Sequence, residues 1–180
     1  VDSKKGIMYI TSNNMLVESE LINVNKDKNQ LIPKYKSEYN LARDKYGYPA
    51  IKPPWGTLTA LNLNNGQIIW QVPFGEYNEL TKKGIPITGT ENIGGATATG
   101  GNIIIATGTL DKKIYIFDSS NGEILFSKQL PFIGSAPPTT YMANDEQYII
   151  VHSTGGKVLK DTYPDLVKMG NALVALKLTK

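Results

Sequence analysis

One pattern occurs twice in this chain and constrains its fold more than any other feature: a strand, a small polar turn closed by Asn-Gly, and a second strand whose fourth residue after the glycine is aromatic. The first copy runs from Thr57 to Trp70 with Asn65-Gly66 at its turn, and the second from Lys113 to Phe126 with Asn121-Gly122. Gly66 and Gly122 lie 56 positions apart, as do Trp70 and Phe126, so the copies keep register. Asn-Gly tolerates the positive φ angles of a type I′ turn, whose twist matches that of paired strands. Each copy therefore predicts a β-hairpin. A partial third copy, Ala172 to Leu178, repeats the strand Leu58 to Leu63, with Ala60 and Ala175 separated by 115. A period in the fifties built from strands alone implies a stacked or radial β architecture in which no unit buries its apolar face by itself.

Segments rich in Ile, Val, Thr, Tyr and Leu, bounded by Gly, Asn or Pro, predict strands near 6–12, 57–63, 67–72, 93–99, 102–107, 113–118, 123–128, 136–142, 147–152 and 171–178. The only helix expected is a turn or two over Ser37 to Asp44, with Ser37 as N-cap. Residues 24–56 form a long polar, Tyr-rich and Lys-rich loop insertion ending in Pro53-Pro54-Trp55-Gly56, and loops of that length are usually functional or docking elements. Further excursions at 76–93 and 155–170 suggest one decorated face. The strands add up to about three four-stranded blades, whereas a propeller closes with about four to eight. The fold expected is all-β, a partial propeller over residues 1–180 completed by upstream blades on the same or another chain, since bare blade flanks leave unpaired edges and apolar surface.

Hydrophobic residues make up 41% of 180, enough for a core, and the formal charge is only +3. The densest cationic cluster, Lys26, Lys28, Lys34 and Lys36, is interspersed with Asp27 and Glu38, which predicts a solvated loop rather than a nucleic-acid or lipid patch. There is no cysteine, which excludes disulfides and thiolate chemistry. No apolar run reaches the roughly 18 residues of a membrane span, and the residues from Val1 to Lys5 do not resemble a signal peptide. The chain is expected to start inside a larger structure, because residue 6 already opens a strand.

The stretch Ala60-Leu-Asn-Leu-Asn-Asn-Gly66-Gln-Ile-Ile-Trp70 resembles the tryptophan-docking motif of PQQ-dependent quinoprotein dehydrogenases, whose eight-bladed propellers bind pyrroloquinoline quinone (PQQ). The Asp of that motif is Asn62 in the first copy and Asp118 in the second, and its Ala and Trp become Ile116 and Phe126. Three further segments resemble the membrane-type glucose dehydrogenase branch: Pro53 to Ala60; Thr88-Gly-Thr-Glu-Asn-Ile-Gly-Gly95 with Thr109-Leu-Asp111; and Glu146 to Gly156 with the closing strand. The resemblance implies the C-terminal blades of an enzyme that oxidises an alcohol or sugar hydroxyl and passes electrons to a quinone or other acceptor. It also implies a periplasmic location, with membrane association through a region absent here.

In that family an Asp acts as base and Ca²⁺ or Mg²⁺ polarises the bound quinone. No match to the base, the metal ligands or the cofactor-binding Lys is present, so this chain alone is expected to be inactive and to supply at most part of the cofactor wall. The candidate cofactor contacts are Asn92, Gly94, Gly95, Gly156 and Lys157. Asn both donates and accepts, and paired glycines let backbone approach a planar ligand; a strand-initiating turn explains the same glycines. Lys157 stands where the family typically has His, which leaves sugar specificity open. His152 is expected to be a packed or edge histidine. Hairpin-turn and motif roles account for Asp111 and Asp118, and Trp55 has both a packing and a ligand-contact reading. Tyr35, Tyr39, Tyr46 and Tyr48 are expected to pack first and to stack on sugars second. The competing readings are a non-catalytic propeller scaffold, and a decayed or split gene product.

Overall fold

The computed structural model describes residues 1–24 and 34–177. It divides into two compact units, Val1–Asn14 with Pro53–Lys180, and Met15–Lys52. The strand at residues 171–178 ends, as described, at Lys177; Leu178 lies outside the described residues, as do Lys26, Asp27 and Lys28 of the cationic cluster.

The first unit contains three antiparallel sheets. Strand β1 (Ile7–Asn13) pairs with β4 (Gly56–Asn62), which pairs with β5 (Ile68–Pro73). The second sheet runs in chain order through β6 (Ala96–Ala98), β7 (Ile103–Ala106), β8 (Lys113–Asp118) and β9 (Ile124–Gln129). The third contains β10 (Thr139–Ala143), β11 (Glu146–Ser153) and β12 (Ala172–Lys177). The repeat is therefore visible in the topology: β4–β5 and β8–β9 are the two full hairpins, and β12 is the third copy of the strand that opens them. Among the described residues one sheet has four strands and its two neighbours have three.

Side chains alternate across a strand with a period of two, and this alternation welds the sheets together. On β7 and β8, Ile104, Ala106, Tyr115 and Phe117 join Tyr9, Leu58, Ala60 and Phe74 of the first sheet side in one buried cluster. The intervening positions Ile105 and Ile114 join Leu130 and Val151, with Ile149, Val174 and Leu176 packed against them. The second sheet is thus apolar on both faces and lies between the other two.

The hairpins are present, but their turns are not type I′. That geometry needs positive φ at both central residues, and only Gly66 (φ 72°) and Gly122 (φ 76°) are positive here. Four residues close each loop instead. The Gly66 N–H donates to the Asn62 carbonyl at 2.8 Å and Gln67 O accepts from Asn62 N–H at 2.9 Å; Gly122 and Glu123 repeat both bonds with Asp118. The side chain of the last strand residue explains the longer loop. Asn62 Oδ1 accepts from Asn64 N–H at 2.9 Å, and Asp118 Oδ1 from Ser120 N–H at 2.7 Å, which locks an Asx turn before the glycine. A two-residue turn with both φ values positive occurs at Asn144 (52°) and Asp145 (59°), between β10 and β11.

The second unit is a hairpin of β2 (Val17–Asn23) and β3 (Tyr35–Leu41), paired from Val17↔Leu41 to Asn23↔Tyr35. This corrects the helix expected over Ser37 to Asp44, where alternation of Tyr35, Ser37, Tyr39 and Leu41 on one face prevails over the weak N-cap signal. It also replaces part of the loop expected at 24–56 with a strand. Tyr35, Tyr39 and Tyr46 are exposed. Two short helices went unread in the sequence, α1 (Asn78–Thr81) and α2 (Lys157–Thr162), one in each of the other excursions.

Candidate functional site

The two candidate segments meet. A Cβ placed on Gly156 lies 2.0 Å from Ile93 Cδ1, so the Asn92–Gly95 stretch and the turn that follows β11 and precedes α2 are packed directly on one another. The Asn92–Gly95 stretch is anchored on both sides. Ile93 N–H donates to Gly108 O at 3.0 Å, Asn92 bridges to Thr109, and Thr11 Oγ1 donates to Gly94 O at 3.1 Å.

Asn92 is 4% exposed, and its polar groups face β1. Its Nδ2 donates to Ser12 O at 3.2 Å and Asn13 Oδ1 at 2.8 Å, its N–H donates to that same Oδ1 at 2.8 Å, and Asn13 Nδ2 returns a bond to Asn92 O at 2.8 Å. The side chain thus ties the first sheet to the second. Gly94 is required by backbone contact: a Cβ there would fall 1.8 Å from Thr107 O. Gly95 faces Pro137, whose Cγ would lie 2.7 Å from an added Cβ.

Gly156 N–H points to Met169 Sδ at 3.4 Å and precedes α2. Lys157, the first residue of α2, carries an exposed side chain 4.0 Å from Asp161. The open faces of the glycines are therefore filled by protein, and the asparagine amide is engaged within the fold. These five residues do not by themselves fit a planar quinone, and among the described residues no group of His, Cys, Asp or Glu is placed to hold a metal ion.

Trp55 is 5% exposed and packs edge-on against Tyr77 with ring centroids 5.4 Å apart, so packing accounts for it. His152 is an exposed residue of β11, opposite Leu173. Hydrogen bonds accepted from Ser120 hold the half-buried Asp118 carboxyl below the usual carboxylate range. Asp111 is a junction. It accepts from Thr109 Oγ1 at 2.5 Å, Glu76 N–H at 2.9 Å, Lys113 N–H at 3.2 Å and the Tyr115 hydroxyl. Burial, and then the Asp111 charge and hydrogen bond, push the Tyr115 hydroxyl far above its ordinary value, so it stays a donor. Beside this junction Lys113 and Glu76 form an ion pair. Burial raises the Glu76 carboxyl, but the Lys113 and Thr81 bonds outweigh it and bring it below the ordinary value.

The sequence reading missed this Glu76–Lys113–Asp111–Tyr115 cluster. Its available signal was Thr109 two residues before Asp111, with Lys113 and Tyr115 at alternate positions beyond. It borders a cleft of about 420 Å³ lined also by Tyr77, Leu110 and Gln129. A larger apolar groove of about 630 Å³ runs between the second and third sheets, lined by Ile116, Phe126, Ile149 and Leu176 among others.

Comparison with known proteins agrees with the architecture. The chain is 34% identical over 134 residues to the quinate/shikimate dehydrogenase (quinone) of Acinetobacter baylyi, covering 71% of this chain and 17% of that protein. It is 30% identical over 160 residues to the quinoprotein glucose dehydrogenase of Escherichia coli, covering 81% of this chain and 19% of that protein. The chain thus spans less than a fifth of these relatives. In fold it is similar to a europium-containing methanol dehydrogenase, with a TM-score of 0.62 at 19% identity, covering 92% of this chain and 26% of the other. Residues 1–149 match the family described as glucose/ethanol/alcohol dehydrogenase, beta-propeller domain, and the chain belongs to this PQQ-dependent dehydrogenase family.

Proposed function

We propose that the chain is the C-terminal portion of a PQQ-dependent dehydrogenase that oxidises an alcohol or sugar hydroxyl and passes the electrons to a quinone or other acceptor. The observation that carries the reading is the convergence of the Asn92–Gly95 stretch on Gly156 within a chain matched to that family over residues 1–149. In this reading the base, the Ca²⁺ or Mg²⁺ ligands and most contacts to PQQ come from upstream blades. Asn92, Gly94, Gly95 and Gly156 fix the backing of one wall. Lys157 is the charged group on that wall, suited to a carboxylate rather than to the donor and acceptor role of an imidazole. The enzyme is placed in the periplasm. No helix among the described residues is long and apolar enough to cross a membrane.

The filled glycine faces favour one second reading, a propeller scaffold that keeps the hairpin repeats without binding a cofactor. The two readings separate when the chain is joined to the upstream segment of its reading frame and titrated with PQQ and Ca²⁺. Saturable change in the cofactor absorbance and alcohol- or sugar-dependent reduction of an acceptor dye support the dehydrogenase. Absence of both overturns it in favour of the scaffold.

A further inference from the structure

The two hairpin turns are a matched pair of Asn-Gly sites whose surroundings differ, and that difference makes one of them chemically labile. Asn65 and Asn121 are both exposed. In each turn the asparagine Oδ1 accepts the N–H two residues on, from Gln67 at 3.0 Å or Glu123 at 2.8 Å. In each the glycine N–H is bonded back to the strand end, at 2.8 Å and 2.9 Å. Around Gly66, however, nothing among the described residues lies within 4 Å of an added Cβ. Gly122 is buried beneath Trp70, whose Cε3 would lie 2.7 Å from that Cβ, and the Trp70 Nε1–H donates to Ser119 O at 3.0 Å.

We infer that Asn65 is a site of spontaneous deamidation and that Asn121 is protected by Trp70. In the reaction the Gly66 backbone nitrogen attacks Asn65 Cγ and forms a new C–N bond. Hydroxide takes the Gly66 amide proton, and the side-chain nitrogen, protonated by water, leaves as ammonia. Water then opens either carbonyl of the resulting succinimide, giving aspartate or isoaspartate. No redox partner is needed. The attack requires the glycine N–H to leave its carbonyl and the asparagine amide to rotate away from its acceptor bond, so the turn must open first. Opening at Asn65-Gly66 breaks the turn's bonds without displacing an aromatic ring. Opening at Asn121-Gly122 must also lift an indole ring and break its hydrogen bond, which makes conversion at Asn65 faster on the order of tenfold.

The test is peptide mapping of the folded chain after incubation in mildly alkaline buffer, scoring aspartate and isoaspartate at both sites, beside a sample held in denaturant. Comparable rates at the two sites in denaturant and selective conversion of Asn65 in the folded chain are expected. Trp70→Phe keeps a ring on the seat but removes the N–H bond, and is expected to raise conversion at Asn121 several-fold with Asn65 unchanged. Equal rates at the two sites in the folded protein overturn the inference. So does an Asn65 that survives folded incubation intact, or a folded Trp70→Phe chain in which Asn121 converts no faster.

Discussion

Gly66 and Gly122 occupy equivalent backbone positions with nearly the same φ, so any difference between them measures what their surroundings add. Alanine at Gly66 meets open space and is expected to cost about 1 kcal/mol, the penalty of the left-handed conformation. Alanine at Gly122 bears that penalty and also displaces Trp70, at a further ~1–3 kcal/mol. Urea midpoints of the two single variants check this; equal losses would show that the Trp70 contact contributes nothing. Glu76 gives a second prediction at this scale. Its folded carboxyl sits below the ordinary value, so its pairing with Lys113 stabilises the fold fully above the unfolded carboxylate value of about 4.3 and loses that stabilisation as pH falls through the folded value. Wild type is expected to exceed Glu76→Gln in stability at neutral pH, with the gap narrowing below about pH 4. A gap that widens on acidification would contradict the pair's role.

At the scale of elements, the excursion from Met15 to Lys52 leaves a neighbouring strand end and returns beside it. Asn14 N–H donates to Trp55 O at 2.8 Å and Asn14 Nδ2 to Pro54 O at 3.3 Å, so the ends of the first unit are already held together. Replacing Met15–Lys52 by a short Gly-Ser linker is expected to leave a single cooperative urea transition, and its loss would show that the three sheets need the hairpin to fold. Strands with period-two patterning and turn boundaries were legible in the sequence, β4, β5, β8 and β9 most clearly. The turns between them were not, because Asn62 and Asp118 bond to their own backbone and impose a loop that the Asn-Gly pair alone does not suggest. Strands β2 and β3 were hidden for another reason. Val17 to Asn23 places Glu18, Ser19 and Glu20 ahead of Leu21 and Ile22 on a largely exposed ribbon, without the Ile and Val density that marked the buried strands.

At the scale of the whole molecule, strands at 102–107 and 113–118 could be read from residue type, and the structure adds that Ile104 and Ile105 are fully buried on opposite sides. What Asn92, Gly94 and Gly95 touch could not be read, because Thr107, Pro137 and Asn13 reach them only through the fold. The chain forms serial sheets of a PQQ propeller, and in the proposed enzyme the reacting groups come from other residues. The measurement that tests it most directly is turnover by this chain alone, supplied with PQQ, Ca²⁺, an acceptor dye and a panel of alcohols and sugars. No dye reduction above the protein-free control is expected, while substrate-dependent reduction by the isolated chain would overturn the assignment of the reacting groups to other residues.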